Sequence, residues 1–245
     1  MPCRFVCACL GALLFTSQVH AAPLRLAADK WSPFSDQSLP NNGLAIDLVS
    51  SALKRAGFLS EYEQAPWARV LEGIQRDRYD IIATAWFTPE RTIYGQYSEP
   101  YLVNQVRFIG KKGSNIQFQQ LSDLQPYEIA VVRGYSYAPT FDSDASLHKY
   151  PVNSFANAAR MLALSRVQLI IEDQQVAQHA FNGELRDISD KLEFLPTPLS
   201  ESPLHILVRR SHPQHQEIID GFNAAIRAMR ADGTYQTIVQ RHAKD

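Results

Sequence analysis

Residues 79–91 read YDIIATAWFTPER, and the way this stretch divides decides the fold class. Tyr79 to Ala85 is a short apolar run of the kind that forms a buried strand. Thr88 can then cap a helix and Pro89 can open it, which puts Arg91 in the first helical turn. A strand feeding a helix is the unit of an α/β fold, and the same alternation recurs on both sides. Upstream, Leu24 to Ala28 reads as a strand, Leu44 to Ala56 has apolar residues at helical spacing before Gly57, and Pro66 opens a helix with Val70, Leu71 and Ile74 on its inner face. Downstream, Glu128 to Arg133 reads as a strand ending at Gly134, Ser154 to Leu164 as a helix and Val167 to Glu172 as a strand, after which the pattern starts over at Asp173. Leu204 to Arg209 is a late strand, Ser211 a cap, and Ile218 to Met229 a helix halted near Asp232-Gly233.

Two such blocks are separated by the polar, glycine-bearing stretch Lys111 to Asn115, with a final strand and helix left over to return to the first block. Two lobes joined by two chain crossings leave a cleft between them, a common place for a ligand.

The first residues carry a basic start at Arg4, an apolar run from Phe5 to Phe15 and small residues at Ala21 and Ala22, the pattern of a secretory signal peptide with its cut after Ala21. The run is too short to span a bilayer. All three cysteines, Cys3, Cys7 and Cys9, fall inside residues 1–21, so the processed chain is expected to have no disulfide, thiolate metal site or cysteine nucleophile. A lipid-modified Cys9 is the competing reading, with too few apolar residues ahead of it. With 24 Lys and Arg against 25 Asp and Glu, and no basic cluster, the chain has no electrostatic footprint for nucleic acid.

In order and spacing, Trp31-Ser32-Pro33-Phe34, Gly43-Leu44-Ala45-Ile46-Asp47-Leu48, Pro66-Trp67, Tyr79-Asp80-Ile81-Ile82, Thr88-Pro89-Glu90-Arg91 and Tyr97-Ser98-Glu99-Pro100-Tyr101 form one half of a resemblance. Val132-Arg133-Gly134-Tyr135-Ser136, Glu172-Asp173 and Asp232-Gly233-Thr234-Tyr235 complete it. Over essentially the whole chain after residue 21 the sequence resembles the amino-acid-binding family of periplasmic solute-binding proteins, family 3, the receptors of ABC importers. The resemblance implies an α/β, two-lobed type II periplasmic-binding-protein fold. Residues 22–101 and 204–245 would form lobe 1, 106–198 lobe 2, and 102–105 and 199–203 the crossings. It further implies a monomeric periplasmic receptor for a small amino-acid-like solute, with ABC permease subunits as partners, no nucleic acid and no cofactor or metal.

Within that resemblance, Arg91 matches the arginine that holds the solute's α-carboxylate, and Asp173 the acceptor of its α-ammonium. Trp31 and Trp67 match aromatic positions that stack on the ligand. Trp86 is a departure, standing where many amino-acid binders carry a small hydroxyl residue. The residue chemistry agrees: a guanidinium offers a carboxylate two parallel hydrogen bonds, and the free N–H groups of a helix start add to them. Ser136, after Gly134, can donate to the same carboxylate because glycine lets backbone approach closely, and Thr84 offers a polar contact from the first lobe. Tyr135 and Tyr137 can cover the ligand, suiting a flat, apolar or cationic side chain. Arg69 is a further cation at the rim or a solvated helix residue. Asp173 has a second reading, as the cap of the helix after Val167 to Glu172.

Gly134-Tyr135-Ser136-Tyr137-Ala138 lacks the last glycine of a nucleophile elbow, and no histidine comes with the context of a triad. His212-Pro213-Gln214-His215 has no nearby acid to complete a metal set. Two alternatives stay open. One is an enzyme resembling cyclohexadienyl dehydratases, with Glu172 or Asp173 as a general acid; adjacent strand residues face opposite ways, so only one of the two reaches the cleft. The other is a free-standing periplasmic sensor.

Overall fold

The structure, a computed structural model, describes residues 22–243. The leader expected at residues 1–21, with its cut after Ala21 and its three cysteines, lies outside the described residues. In chain order, β1 (Leu24–Ala28), α1 (Leu44–Arg55), β2 (Ser60–Gln64), α2 (Trp67–Gln75) and β3 (Ile81–Trp86) are followed by a 3-10 turn at Pro89–Ile93 and the short β4 (Gly95–Tyr97). Then come β5 (Leu102–Lys111), β6 (Glu128–Val132), α3 (Pro139–Ser143), β7 (His148–Val152), α4 (Phe155–Ala163), β8 (Leu169–Asp173) and α5 (Gln174–Asn182). The chain closes with β9 (Leu192–Arg209), α6 (His215–Ala231) and α7 (Thr234–His242).

The sheet runs β2-β1-β3-β9-β5-β8-β6-β7, with β4 attached to β9. β1 is parallel to β2 and β3, and β6 is parallel to β7 and β8. The antiparallel pair β5 and β9 joins these two parallel halves. In parallel α/β sheets ligands sit at the carboxyl ends of the strands, and the tips of β1, β3, β6 and β8 carry Asp29, Trp86, Gly134 and Glu172. The first lobe packs around fully buried Leu26, Ile46, Leu53, Ile81 and Phe222. The second packs around Ile109, Leu162, Ile170 and Leu185.

The expected α1 begins after Gly43, which has φ of +94°, and a Cβ there would lie 2.7 Å from the Pro33 carbonyl oxygen. Only glycine fits that approach. The late strand is much longer than Leu204 to Arg209, because β9 starts at Leu192. Pro196, Pro198 and Pro203 lie inside it, and proline argues against a strand when only the sequence is read. Here β9 crosses between lobes against β5, with Val103 opposite Pro203 and Arg107 opposite Pro198, and the register shifts on either side of Arg107. Helix α6 starts at His215, so Ser211 does not cap it; its hydroxyl instead donates to Asp77.

Asp80, at the foot of β3, ties the first half-sheet together. Its carboxylate accepts from the Arg25 backbone N–H (2.9 Å) and from Arg25 Nε (2.9 Å), and from Arg209 Nε (3.0 Å). Burial pushes this carboxyl up, but the hydrogen bonds from Arg25 and Arg209 outweigh it and hold it at about 2. Because the pKa is depressed in the folded protein, this stabilisation is complete above the ordinary carboxylate range and is lost as the pH falls toward 2. Asp80→Ala strands Arg209 in a mostly buried place. We expect it to lower the unfolding free energy by about 2–3 kcal/mol, allowing for the solvent around Arg25, in urea melts at pH 7. A loss below ~0.5 kcal/mol would remove Asp80 from this role.

Candidate functional site

The site is assembled from strand tips and one tight turn. Thr88 Oγ1 accepts from the Arg91 N–H (3.4 Å), closing the turn that swings Arg91 inward. Its side chain is buried, with Nη1 donating to the Trp86 carbonyl (2.9 Å) and Nη2 to the Gly134 carbonyl (3.1 Å). The guanidinium also lies over the Trp67 ring, 5.1 Å from its centroid. Among the described residues no carboxylate pairs with Arg91. Carbonyl dipoles solvate the cation without neutralising it, and a buried charge without a counter-ion is costly. A guanidinium in this setting has the chemistry to take an anion as its partner.

Four hydrogen bonds close the gap between the lobes. Tyr135 donates to Asp29 Oδ2 (2.5 Å), Trp31 Nε1 to Glu172 Oε1 (3.1 Å), and Trp67 Nε1 and Arg91 both to the Gly134 carbonyl, Trp67 at 2.9 Å. Gly134 has φ of +78°, which aims that carbonyl at its two donors and favours glycine there. Trp31, Trp67, Trp86 and Tyr135 meet edge to face, with centroids 5.3 to 6.3 Å apart. They surround an inner cavity of about 30 Å³, lined also by Asp29, Thr84, Arg91, Ser136 and Leu204. That space suits a water molecule rather than an amino acid, so admitting a solute requires the lobes to part. Beyond Trp31, Trp67 and Tyr135 lies an outer chamber of about 730 Å³, within the range of small-molecule sites.

The model of the bacterial extracellular solute-binding proteins, family 3, matches residues 24–245. The chain belongs to this family. The putative ABC transporter arginine-binding protein 2 of Escherichia coli (strain K12) is 23% identical over 248 residues, covering 97% of this chain and 98% of that protein. A solved structure of the P235GK mutant of ArgBP from T. maritima superposes with a TM-score of 0.75 at 18% identity, covering 91% of this chain and 95% of that one. An ancestral amino-acid-binding protein, a precursor of cyclohexadienyl dehydratase, gives 0.71 at 22% identity, over 89% and 94%. These likenesses establish the two-lobed α/β fold, and the function of this family 3 chain is solute binding. No described helix is long and apolar enough to cross a membrane.

The structure gathers Arg91, Thr84, Trp31, Trp67, Trp86, Tyr135 and Ser136 around the inner cavity, with Gly134 immediately behind it. Thr84 Oγ1 is buried without a hydrogen-bond partner among the described residues. Ser136 is differently engaged, its hydroxyl donating to Asp142 Oδ2 (2.6 Å). Trp86 donates its indole N–H to Asn104 Oδ1 (3.1 Å). Asp173 lines neither cavity. Its Oδ1 accepts from the N–H groups of Gln175 (2.8 Å) and Val176 (3.0 Å), so it caps α5, and the residue of the pair that reaches the cleft is Glu172. The strand pleat sends the two side chains to opposite faces. Asp29 is the residue that the sequence reading omits; its signal is a charge one residue past the end of an apolar strand.

Burial raises the Glu172 carboxyl to about 8, against the lowering bonds from the Asp173 N–H and Trp31. Burial likewise raises Asp29 to about 6, opposed by the Tyr135 bond, and Asp173 to about 6, opposed by its cap bonds. A carboxyl raised on folding binds more protons folded than unfolded, so stability is greatest at low pH and falls as the pH climbs through the raised value. The solute-free protein is therefore expected to lose melting temperature between pH 6 and 8, above the range of Asp29 and Asp173, and Glu172→Gln to remove most of that loss. A flat wild-type profile across this range would contradict the placement of Glu172.

Proposed function

We propose that this protein captures an amino acid outside the cytoplasm and presents it to an ABC importer, its two lobes closing at 102–105 and 199–203 around the solute. The observation that carries the reading is the buried Arg91 guanidinium, which has no counter-ion among the described residues and shares the inner cavity with Asp29. In this reading the solute's carboxylate takes the place of the Gly134 and Trp86 carbonyls on Arg91, and the free Thr84 hydroxyl adds a donor. Asp29, on the wall of the same inner cavity, takes the α-ammonium in place of the Tyr135 hydroxyl. Trp67 and Trp86 bound the space between. Arg91 and Asp29 both stand on the first lobe and hold the solute's two charges there, while Tyr135 and Ser136 of the second lobe line the same cavity and close over it; closure follows from what those second-lobe contacts gain when the solute is present. The names of the relatives, which bind arginine or amino acids, support the same class of solute. Residues 1–21 serve as the cleavable export signal, and the processed chain acts in the periplasm as a monomer.

Calorimetric titration of the purified full chain with a panel of amino acids tests this. At least one is expected to bind, and Arg91→Ala to weaken it by roughly 30-fold or more, the cost of removing one partner from a buried charge pair. Tight binding that survives Arg91→Ala would overturn the assignment.

The dehydratase alternative keeps one observation in its favour, a cleft carboxyl, Glu172, that holds its proton at neutral pH. Both Glu172 and its neighbourhood serve the binding reading equally, and the family's relatives are binding proteins. Incubation with prephenate or arogenate is expected to yield no product; catalytic turnover lost in Glu172→Gln would replace the binding reading with an enzymatic one.

A further inference from the structure

Glu172 is fully buried near the end of β8, and it lines the outer chamber between the lobes. Its two oxygens are treated differently. Oε1 accepts from Trp31 Nε1 of the first lobe (3.1 Å) and from the Asp173 N–H (2.8 Å), whereas Oε2 is buried with no hydrogen-bond partner among the described residues. The first contact bridges the lobes, so parting them separates Trp31 from Glu172 and uncovers the carboxyl. Its register neighbour on β5, Arg107, gives it no charge: that guanidinium donates to Gln174 Oε1 (3.2 Å) and the Pro196 carbonyl (2.6 Å).

The other charged groups about Glu172 leave it short of positive charge. From the tip of β1 come Asp29 and Lys30, and from its own strand and α5 come Asp173 and His179. Tyr135 and Tyr137, on the loop after β6, are both raised well above the ordinary tyrosine range, first by burial and then by nearby carboxyls. Asp36 and Glu184 add acids to the chamber wall and Arg133 a base at its rim. Lys30 reaches toward Asp36 instead (3.8 Å). Two carboxyls, the partly buried Asp29 on one lobe and the fully buried Glu172 on the other, thus share one space, and among the described residues neither makes an ion pair. Such a pair avoids double ionisation by keeping a proton, in agreement with the raised Glu172.

We infer that Glu172 is a proton-exchanging acceptor for a second positive charge, on the solute's side chain, so that the protein selects basic amino acids and releases a proton when it captures one. Resting on the amino-acid reading above, this assigns the two ends of the solute to different walls. The α-carboxylate and α-ammonium lie in the inner cavity with Arg91 and Asp29, and the side chain extends past Trp31 and Tyr135 into the outer chamber. The Glu172 proton leaves to solvent, the carboxylate that remains pairs with the incoming ammonium or guanidinium, and charge is conserved. A neutral side chain brings nothing to replace the proton. An acidic one meets Asp29 and Glu172 with like charge.

The test is calorimetry of the full chain with L-arginine, L-lysine, L-glutamine and L-glutamate at pH 7, repeated in buffers of differing ionisation enthalpy so that the heats count protons. Arginine or lysine is expected to bind at least tenfold more tightly than glutamine and to release close to one proton, as linkage requires for a carboxyl that ionises on binding. Glu172→Gln, nearly isosteric, is expected to abolish both the release and the preference while still binding. Basic amino acids bound without proton release, or release unchanged in Glu172→Gln, would overturn the inference. Binding confined to neutral amino acids would overturn it and leave the amino-acid reading standing, whereas no binding by any amino acid would sink both. The wild-type proton count is independent of any variant's folding.

Discussion

A guanidinium enclosed by protein and unmatched by any acid among the described residues is the constraint from which the rest of this structure follows. Arg91 is kept inside by a capped turn, by two backbone carbonyls and by the face of Trp67. Such a charge is tolerated because each partner has another use. The Gly134 carbonyl belongs to the opposite lobe and also receives Trp67, so the same bonds that solvate Arg91 hold the lobes together. A carboxylate entering from solution competes for those bonds with both charge and geometry in its favour.

The carboxyl side of the cleft is built on the opposite principle. Glu172, fully buried, and Asp29, partly buried, sit beside neutral donors, Trp31 and Tyr135, which can bond either protonation state. Their environment disfavours ionisation, whereas that of Asp80, under Arg25 and Arg209, enforces it. Desolvation acts in the same direction on all three; what separates them is the presence of a cation. Asp80 therefore fastens the fold, and the cleft carboxyls remain free to respond to a ligand.

Much of this was legible in the sequence where local rules dominate. Thr88 and Pro89 announce a helix start, which the structure closes as a short 3-10 turn over Pro89–Ile93, Ser154 caps α4 by accepting from the Asn157 N–H, and the apolar spacing of Ile218 to Met229 lies within α6. Long-range pairing was not legible. β9 carries three prolines and takes its strand form only from β5 and β3 beside it, and polar β2 is a strand because it edges β1. At the site, the sequence nominated Arg91 and Thr84, and the family resemblance the tryptophans, and all of these line one cavity, but which of Glu172 and Asp173 enters the cleft depends on the pleat at one strand tip. Family resemblance favoured Asp173, whose cap bonds turn it away. Asp29 passed unnoticed because a charge beside a strand end is ordinary until the opposite lobe brings Tyr135 to it.

The most direct measurement of the central claim is a crystal structure of the protein with its amino-acid solute bound. The account predicts the solute carboxylate on Arg91 within hydrogen-bonding distance, having displaced the Gly134 carbonyl, with Asp29 and Glu172 flanking the solute's positive groups. A solute held elsewhere, with Arg91 still bonded to the Gly134 and Trp86 carbonyls, would contradict it.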